Sequence, residues 1–392
     1  MAKVQGTCDD RFREVEKLFQ SNLDEGKELG ASIVINIDGK DVVDIWGGHA
    51  NEDKSRPWEK DTIVNVFSTS KTVVSLAALV CIERGLLDPY EKVSKYWPEF
   101  GVNGKENVEV RHLLSHSTGL SGWQEPVTSD DICDLEKSTA LLAAQAPWWE
   151  PGTASGYHSL TMGHLVGEVI RRVTGKSLKT FINDELAKPL DADFQLGAKD
   201  DDVPRVADLI PPPPMDPSAM MDSFKDPTSI TFRTFMNPML DATFAHSSTW
   251  RKAEIGAANG HSNARGVAHI LSPITLGSSP LLSPRTIDLI FAEQTNGVDL
   301  VLGKKVRFGI GYGLTGKDTE VMDWLPEGRI ASWGGYGGSI AVMDLDRRVT
   351  ISYVMNKMGV AIMGNNRTGD YVKAIYKALG VELGRKPELP AV

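Results

Sequence analysis

A nearly unbroken apolar stretch runs from Val73 to Ile82, where Ser75 is the one polar residue. Such a pattern predicts a helix that is surrounded by protein on most sides, rather than one that lies on a surface. A short β-rich run, Thr62–Phe67, comes just before it. Residues 68–71 connect the two, so we expect them at the mouth of a buried helix.

The two ends of the chain share a different pattern, in which short β-rich runs are separated by turns. Residues 10–25 predict an amphipathic helix, and the runs Ser32–Ile37 and Val42–Trp46 meet at Asp38-Gly39, a strong hairpin signal. Further β-rich runs and a closing helix are expected near the other end, at about 306–314, 329–334, 339–344, 348–355 and, for the helix, 370–379.

Helical periodicity dominates between these ends. We therefore expect an α+β fold in which both chain ends build one antiparallel sheet, flanked by terminal helices, with a mostly helical lobe inserted. The expected division is a sheet domain of residues 1–67 and 301–392 and an inserted domain of residues 68–300. Active sites favour the seam between two such lobes.

One segment, near residues 203–240, breaks the helical pattern. It contains Pro211–Pro214 and Asp216-Pro217, which exclude a continuous helix. A long irregular segment is often a binding loop or a lid. Its methionines suit either an adaptable pocket wall for an apolar substrate or ordinary core filling; they are Met215, Met220, Met221, Met236 and Met239.

Composition narrows the range of partners. The 392 residues carry a formal net charge of −10, and both nucleic acid and anionic membrane call for clustered Lys and Arg, so neither is expected as a partner.

The N-terminal sequence lacks the apolar core of a secretory signal, and no run is long enough to span a membrane. Three cysteines without paired spacing suit a reducing compartment. These features predict a cytoplasmic protein.

Ser68 and Lys71 form an S-x-x-K pair at the start of the buried helix. Positions i and i+3 share a helix face, so the hydroxyl and the amine can come within hydrogen-bonding reach. Burial favours the neutral amine, which can act as a base toward a serine. The alternative is a serine that caps the helix followed by a solvated lysine, although a cation in the first turn opposes the helix dipole.

Two further segments are candidates for the same site. Gly156-Tyr157-His158-Ser159 lies in a loop before an expected helix, and Trp333–Gly338 is a glycine-rich end of a β-rich run. Glycine in a strand lets another backbone or a ligand approach closely, or else marks a bulge or a turn. Each segment is a weak signal alone.

The order Ser-x-x-Lys, Tyr-x-Ser, glycine-rich strand resembles the serine β-lactamase and penicillin-recognising superfamily. The resemblance is greatest to its class C-like branch, which holds the family VIII carboxylesterases and the lovastatin-type fungal acyltransferases. It spans about residues 30–356 and includes three further segments, which are His112–Leu120, Glu150-Pro151-Gly152 and Ala257–Arg265.

The resemblance implies that Ser68 is the nucleophile that becomes acylated and that Lys71 is its base. Tyr157 is implied to lie across the cleft, where a cationic lysine makes it easier to ionise, and to pass a proton to the leaving alcohol. Backbone N–H groups of Ser68 and Tyr336 are implied as the oxyanion hole. The residues implied to bind substrate are Trp333, Gly334, Gly335, His158 and Ser159.

Two departures from the penicillin-recognising pattern bear on the substrate. Trp333 stands where those enzymes place a lysine or a histidine, and an indole offers no cation to a β-lactam carboxylate. Ser159 replaces an asparagine that is common in class C β-lactamases. Both changes favour ester cleavage, with β-lactam hydrolysis as a minor activity at most.

Three functions remain open on this basis. The first is a serine carboxylesterase that cleaves small to medium acyl esters, and the second is an acyltransferase that passes the same acyl group to an alcohol. The third is a non-enzymatic sensor that stays acylated. The expected partner is a small-molecule ester, joined under the second function by an alcohol acceptor, and no cofactor or metal is expected.

His112 and His116 have the i, i+4 spacing of a metal site, but Leu113 stands where a metalloprotease has its glutamate, so buried structural roles are preferred.

Overall fold

The computed structural model describes residues 2–214, 221–360, 362–381 and 383. Met215, Asp216, Pro217 and Met220 of the proline- and methionine-rich segment lie outside the described residues. The strands are β1 Gln5–Cys8, β2 Gly30–Ile37, β3 Lys40–Gly48, β4 Val64–Asn65, β5 Phe194–Leu196, β6 Gly260–Ser262, β7 Thr295–Val298, β8 Lys305–Phe308, β9 Gly313–Leu314, β10 Ile330–Gly334, β11 Ile340–Asp344 and β12 Val349–Met355. The helices are α1 Arg13–Asp24, α2 Ser70–Glu83, α3 Val93–Tyr96, α4 Val110–Leu114, α5 Leu135–Ala144, α6 Thr161–Thr174, α7 Leu178–Phe181, α8 Ile230–Phe235, α9 Ser248–Lys252, α10 Ala264–Thr275, α11 Pro284–Ile290 and α12 Asn366–Ala378.

A nine-stranded antiparallel sheet joins the two ends of the chain. Its strand order is β1-β3-β2-β12-β11-β10-β9-β8-β7. The hairpin between β2 and β3 turns at Asp38 and Gly39, which have φ angles of 52° and 82°, as a type I′ turn requires. β2 then pairs with β12, with Ile33 opposite Tyr353. The predicted α+β fold with a sheet built from both chain ends is confirmed.

Helices cover both faces of this sheet. On one face, Thr275 of α10 hydrogen-bonds to Thr350 of β12 at 2.9 Å. On the other face, Tyr353 of β12 packs against Tyr371 of α12, which in turn meets Phe19 of α1 edge-on. Side chains of a strand alternate between faces, so positions 350 and 353 necessarily point to opposite layers.

The apolar stretch after residue 70 forms the buried helix α2. Its side chains are buried from Ser70 to Cys81, and it packs against α6 and the sheet-covering α10. The helix is therefore enclosed by protein on nearly all sides, as its apolar pattern predicts. It begins at Ser70, two residues later than Ser68, because Phe67–Thr69 forms a tighter 3₁₀ turn.

The boundary predicted at residue 301 falls within the sheet-forming part of the chain. β7 is the edge strand of the nine-stranded sheet and α10 lies against its face, and both come before that residue. The division into two domains stays a prediction.

Among the residues that the structure describes, none of the helices has both the length and the apolar character needed to cross a bilayer.

Candidate active site

Ser68 lies in the 3₁₀ turn that connects β4 to α2. The residue before it, Phe67, has a φ of 42°, which a bulky side chain rarely adopts. Two hydrogen bonds hold this strained backbone: the Ser70 hydroxyl donates to the Phe67 carbonyl at 2.5 Å and accepts from the N–H of Gly260 at 2.9 Å. The turn presents Ser68 at the mouth of α2 with 8% of its surface exposed.

Lys71 lies one turn further along and points at the same hydroxyl. Its Nζ is 3.0 Å from Ser68 Oγ, 2.7 Å from the carbonyl oxygen of Ser159 and 2.9 Å from that of Ala257. Only 2% of the residue is exposed. The predicted reach between residues 68 and 71 is therefore present, and a solvated lysine is excluded.

Burial also affects the protonation of Lys71. It lowers the pKa of the amine well below the usual value of 10.5, since the ammonium ion loses its hydration. An ammonium would donate to all three oxygens, whereas a neutral amine has two N–H groups and one lone pair. In the neutral form, the carbonyls of Ser159 and Ala257 can take the two N–H groups and leave the lone pair for the hydroxyl of Ser68. The neutral form suits a base that removes the serine proton.

Tyr157 completes the group from the loop before α6. It is fully buried, and the Nζ of Lys71 lies 4.9 Å from its ring centroid. Burial raises the pKa of Tyr157 to about 12, and smaller opposing effects come from hydrogen bonds with Ser68 and Trp333. The expectation that this phenol ionises more easily than usual is wrong, because its desolvation outweighs its neighbours. Lys71 is the better base, and Tyr157 is a neutral phenol at rest.

Trp333 donates a hydrogen bond to Tyr157. Its indole Nε1 lies 3.2 Å from the phenol oxygen of Tyr157, and an indole N–H can only donate. The phenol oxygen therefore accepts from Trp333, and its own O–H remains available to donate to Ser68, its other hydrogen-bond partner. With Lys71 neutral, a chain of hydrogen bonds can run from Trp333 through Tyr157 and Ser68 to the amine.

Two backbone N–H groups beside the nucleophile are unpaired. Within the part of the chain that the structure describes, neither the N–H of Ser68 nor that of Tyr336 has a hydrogen-bond acceptor. The ring of Tyr336 meets that of Phe67 edge-on, with 5.6 Å between centroids, which brings its turn next to Ser68. Such a pair of N–H groups can stabilise the negative oxygen of a tetrahedral intermediate.

Gly335 lets the turn after β10 come this close. A Cβ at this position would lie 2.3 Å from the carbonyl oxygen of Val66 and 2.4 Å from Ser339 Oγ. Ser339 then ties the turn to residues on both sides of Ser68, since its hydroxyl donates to the Val66 carbonyl at 2.9 Å and pairs with the Thr69 hydroxyl at 3.0 Å. The glycine-rich strand end is therefore a close approach of two backbones.

The other predicted substrate-binding residues differ in what they present. His158 is fully buried, with Nδ1 2.6 Å from the carbonyl of Gly156 and Nε2 2.6 Å from Thr118 Oγ1, which leaves no free ring nitrogen for substrate. Ser159 is partly exposed and contributes its carbonyl to Lys71. Gly334 ends β10 and is buried.

Neither predicted histidine of the i, i+4 pair has both ring nitrogens free. The Nδ1 of His112 accepts the N–H of Glu109, and that of His116 accepts the N–H of His158, each at 3.1 Å. His116 also lies against Tyr157, with 5.1 Å between the two ring centroids. Burial lowers its pKa well below 6.5, so it acts as a neutral packing partner.

Sequence reasoning missed the carbonyl of Ala257 and the hydroxyl of Ser339. Ala257 opens the segment Ala257–Arg265, which the resemblance includes, but a carbonyl that accepts from Lys71 leaves no mark in residue type. Ser339 follows the predicted glycine run directly. Its proximity to Trp333–Gly338 was the signal that could have found it.

Known proteins are similar to this chain along most of its length. Residues 15–370 match the model of the family described as Beta-lactamase. "Esterase/beta-lactamase LipL" of Mycobacterium tuberculosis is 32% identical over 370 residues, which cover 91% of this chain and 83% of that protein.

Two solved structures extend the similarity to three dimensions. One is a family VIII carboxylesterase, with a TM-score of 0.88 and 35% identity over 96% of this chain and all of that one. The other is a penicillin-binding protein homologue from Caulobacter crescentus, with a TM-score of 0.87 and 33% identity over 96% of this chain and all of that one. The chain belongs to the β-lactamase family.

Proposed function

We propose that this protein is a serine carboxylesterase that cleaves small to medium acyl esters through an acyl-serine intermediate. The observation that carries the proposal is the position of Lys71, a buried amine whose Nζ lies within hydrogen-bonding distance of two carbonyl oxygens and of Ser68 Oγ. A serine hydroxyl is a poor nucleophile until such a base removes its proton. The broader class, a serine ester hydrolase or acyltransferase with the β-lactamase fold, follows from the family and its esterase relatives.

Acylation can be written with the groups in place. Ser68 Oγ forms a bond to the ester carbonyl carbon while its proton passes to Lys71, and the carbonyl oxygen becomes an oxyanion near the N–H groups of Ser68 and Tyr336. The bond to the alcohol oxygen then breaks, and that oxygen takes the phenol proton of Tyr157. The ammonium of Lys71 returns a proton to the phenol, so acyl-serine and free alcohol result.

Deacylation reverses these steps with water as the nucleophile. Water adds to the acyl carbon, its proton passes to the Tyr157 and Lys71 pair, and Ser68 leaves as the alcohol. The positive end of the helix dipole at the mouth of α2 favours the negative charge that develops in both halves of the reaction.

Esters are preferred to β-lactams in this proposal because of Trp333. Its indole N–H is already used by Tyr157, and it carries no cation for a β-lactam carboxylate. The similar family VIII carboxylesterase supports the same choice, whereas the name of the Mycobacterium tuberculosis relative gives both an esterase and a β-lactamase.

Acyl transfer to an alcohol is the second candidate. The observation that favours it is the low exposure of Ser68, of which 8% is open, because restricted access of water lengthens the life of an acyl-enzyme. The partners are thus a small-molecule ester and, for transfer, an alcohol acceptor.

A cytosolic location is part of the proposal, since three cysteines without paired spacing suit a reducing compartment.

A nitrophenyl ester assay with and without a competing alcohol separates these functions. Steady release of free acid that the alcohol does not divert supports hydrolysis, and accumulation of the new ester supports transfer. A single burst equal to the amount of enzyme contradicts both, because it identifies a chain that is acylated and stays so.

A further inference from the structure

Asp299 is a buried carboxylate that contacts the loop carrying Tyr157, although the two residues are far apart in the sequence. It follows β7 and is fully buried. We propose that Asp299 is a positioning residue, which holds the Tyr157 segment so that the phenol meets the leaving alcohol of the ester. This inference rests on the proposed function.

One oxygen of Asp299 gathers three backbone N–H groups. Its Oδ1 accepts from Tyr157 at 3.0 Å, from Val301 at 2.9 Å and from Leu302 at 2.9 Å. The carboxylate therefore joins its own loop to the Tyr157 backbone at a single point. Removal of such an acceptor leaves three N–H donors without their partner, and a buried donor without a partner is destabilising.

A second hydrogen bond fixes the same two segments in register. The N–H of Leu300 donates to the carbonyl of Ser155 at 2.9 Å. Asp299 thus contacts Tyr157, and Leu300 contacts Ser155, so the two segments are joined at two points. The pair of contacts restricts translation and rotation of the loop that presents the phenol.

Asp299 acts by positioning the Tyr157 loop, and this role does not require its negative charge. Its Oδ2 takes part in none of the three backbone N–H bonds, so an amide nitrogen at that position leaves those bonds in place. The titratable groups that face Tyr157 are Lys71, His116 and His158 together with Asp299, and burial lowers the pKa of each of the first three. Burial raises the pKa of Asp299, and hydrogen bonds from the N–H groups of Leu302, Tyr157 and Val301 and from the Ser155 side chain oppose this change.

The reaction offers a readout that a merely structural role would not move. An alkoxide is a poor leaving group and needs a proton from Tyr157, whereas a nitrophenolate leaves readily without one. A misplaced phenol therefore slows acylation by an alkyl ester more than acylation by a nitrophenyl ester with the same acyl group. The ratio of the two rates reports the position of the phenol and is independent of how much protein is folded.

The test compares Asp299→Ala with Asp299→Asn in the full chain, with both acylation rates measured per active site titrated by a phosphonate. We expect Asp299→Ala to lower the alkyl-to-nitrophenyl rate ratio by about tenfold, less than the effect of about 10²-fold to 10⁴-fold attributed to a general acid, because the phenol is displaced rather than removed. Asp299→Asn keeps an oxygen that can accept the three N–H bonds, so it should restore the ratio to within about threefold of the wild type. Asp299→Ser, whose hydroxyl is too short to meet all three donors, replaces the alanine variant if that variant does not fold.

Asp344 provides a matched control. It is equally buried, at the end of β11, and accepts from the backbone and side chain of Arg347 and from the hydroxyl of Tyr376. Asp344→Ala should destabilise the fold and leave the rate ratio unchanged. An unchanged ratio in Asp299→Ala or Asp299→Ser overturns the inference, and so does an equal fall in Asp344→Ala. A wild type that cleaves neither ester contradicts the proposed function instead.

Discussion

The indole nitrogen of Trp333 lies 3.2 Å from the phenol oxygen of Tyr157. Because an indole donates and never accepts, the phenol oxygen is the acceptor in this contact, and its own proton remains available to Ser68. The same position holds a lysine or histidine in the penicillin-recognising pattern. A neutral donor at position 333 supplies the hydrogen bond to Tyr157 without adding a positive charge to the pocket.

Removal of this donor should slow the reaction without unfolding the protein. In Trp333→Phe, the apolar face remains but the phenol loses its fixed orientation, so we expect kcat to fall by about tenfold. Trp58 is a matched control, since it is buried and its indole nitrogen has no hydrogen-bond partner among the described residues. Steady-state kinetics of both variants check this, and an equal loss in Trp58→Phe would point to general destabilisation.

Replacement of Lys71 by methionine keeps an unbranched side chain and removes the base. We expect kcat to fall by about 10²-fold to 10⁴-fold, the range attributed to general acid–base groups. Lys105 is also buried and donates to the carbonyls of Val102 and Gln145, outside the catalytic group. Lys105→Met should therefore keep the wild-type kcat per titrated site, and an active Lys71→Met would contradict the assignment of the base.

The pH profile should reflect a lysine that is neutral at rest. Since burial lowers the pKa of Lys71, kcat/KM should rise with pH through that lowered value and reach its plateau well below pH 10.5. Tyr157, with its pKa raised to about 12, keeps its proton across the plateau. Initial rates in overlapping buffers measure this, and activity that rises only as pH approaches 10.5 would show a lysine that is charged in the resting enzyme.

Gly335→Ala should damage the oxyanion hole. The added Cβ would lie 2.3 Å from the carbonyl of Val66, so the turn must move and carry the N–H of Tyr336 with it. Loss of one such donor typically lowers kcat by about 10²-fold to 10³-fold. Gly297 lies in β7 of the same sheet, where an added Cβ would have no described atom within 4 Å; Gly297→Ala should match the wild type, and the comparison fails if both variants are equally slow.

The site residues that could be predicted from the sequence alone are those whose partners lie close to them in the sequence. Ser68 and Lys71 are one helical turn apart, so their meeting follows from spacing and from the apolar helix behind them. Tyr157 and Trp333 needed the resemblance, because nothing local brings position 157 to position 333. Most of the sheet was predictable for a similar reason, since its strands pair with their neighbours in the sequence, except in the pairs of β1 with β3 and β2 with β12.

What could not be predicted depends on burial and on backbone atoms. The raised pKa of Tyr157 follows from complete desolvation, which no motif encodes. Carbonyls of Ser159 and Ala257 accept from Lys71 whatever their side chains are. Asp299 reaches Tyr157 across 142 positions of sequence, and an aspartate in a loop has no pattern that distinguishes such a contact from solvent exposure.

Covalent labelling tests the central claim most directly. A phosphonate ester that traps serine nucleophiles is incubated with the wild type and with Ser68→Ala, and the modified residue is located by mass spectrometry of peptides. The account predicts one adduct per chain, on Ser68, with loss of esterase activity in step with labelling, and no adduct or activity in Ser68→Ala. An adduct on another serine, or esterase activity that survives in Ser68→Ala, would contradict it.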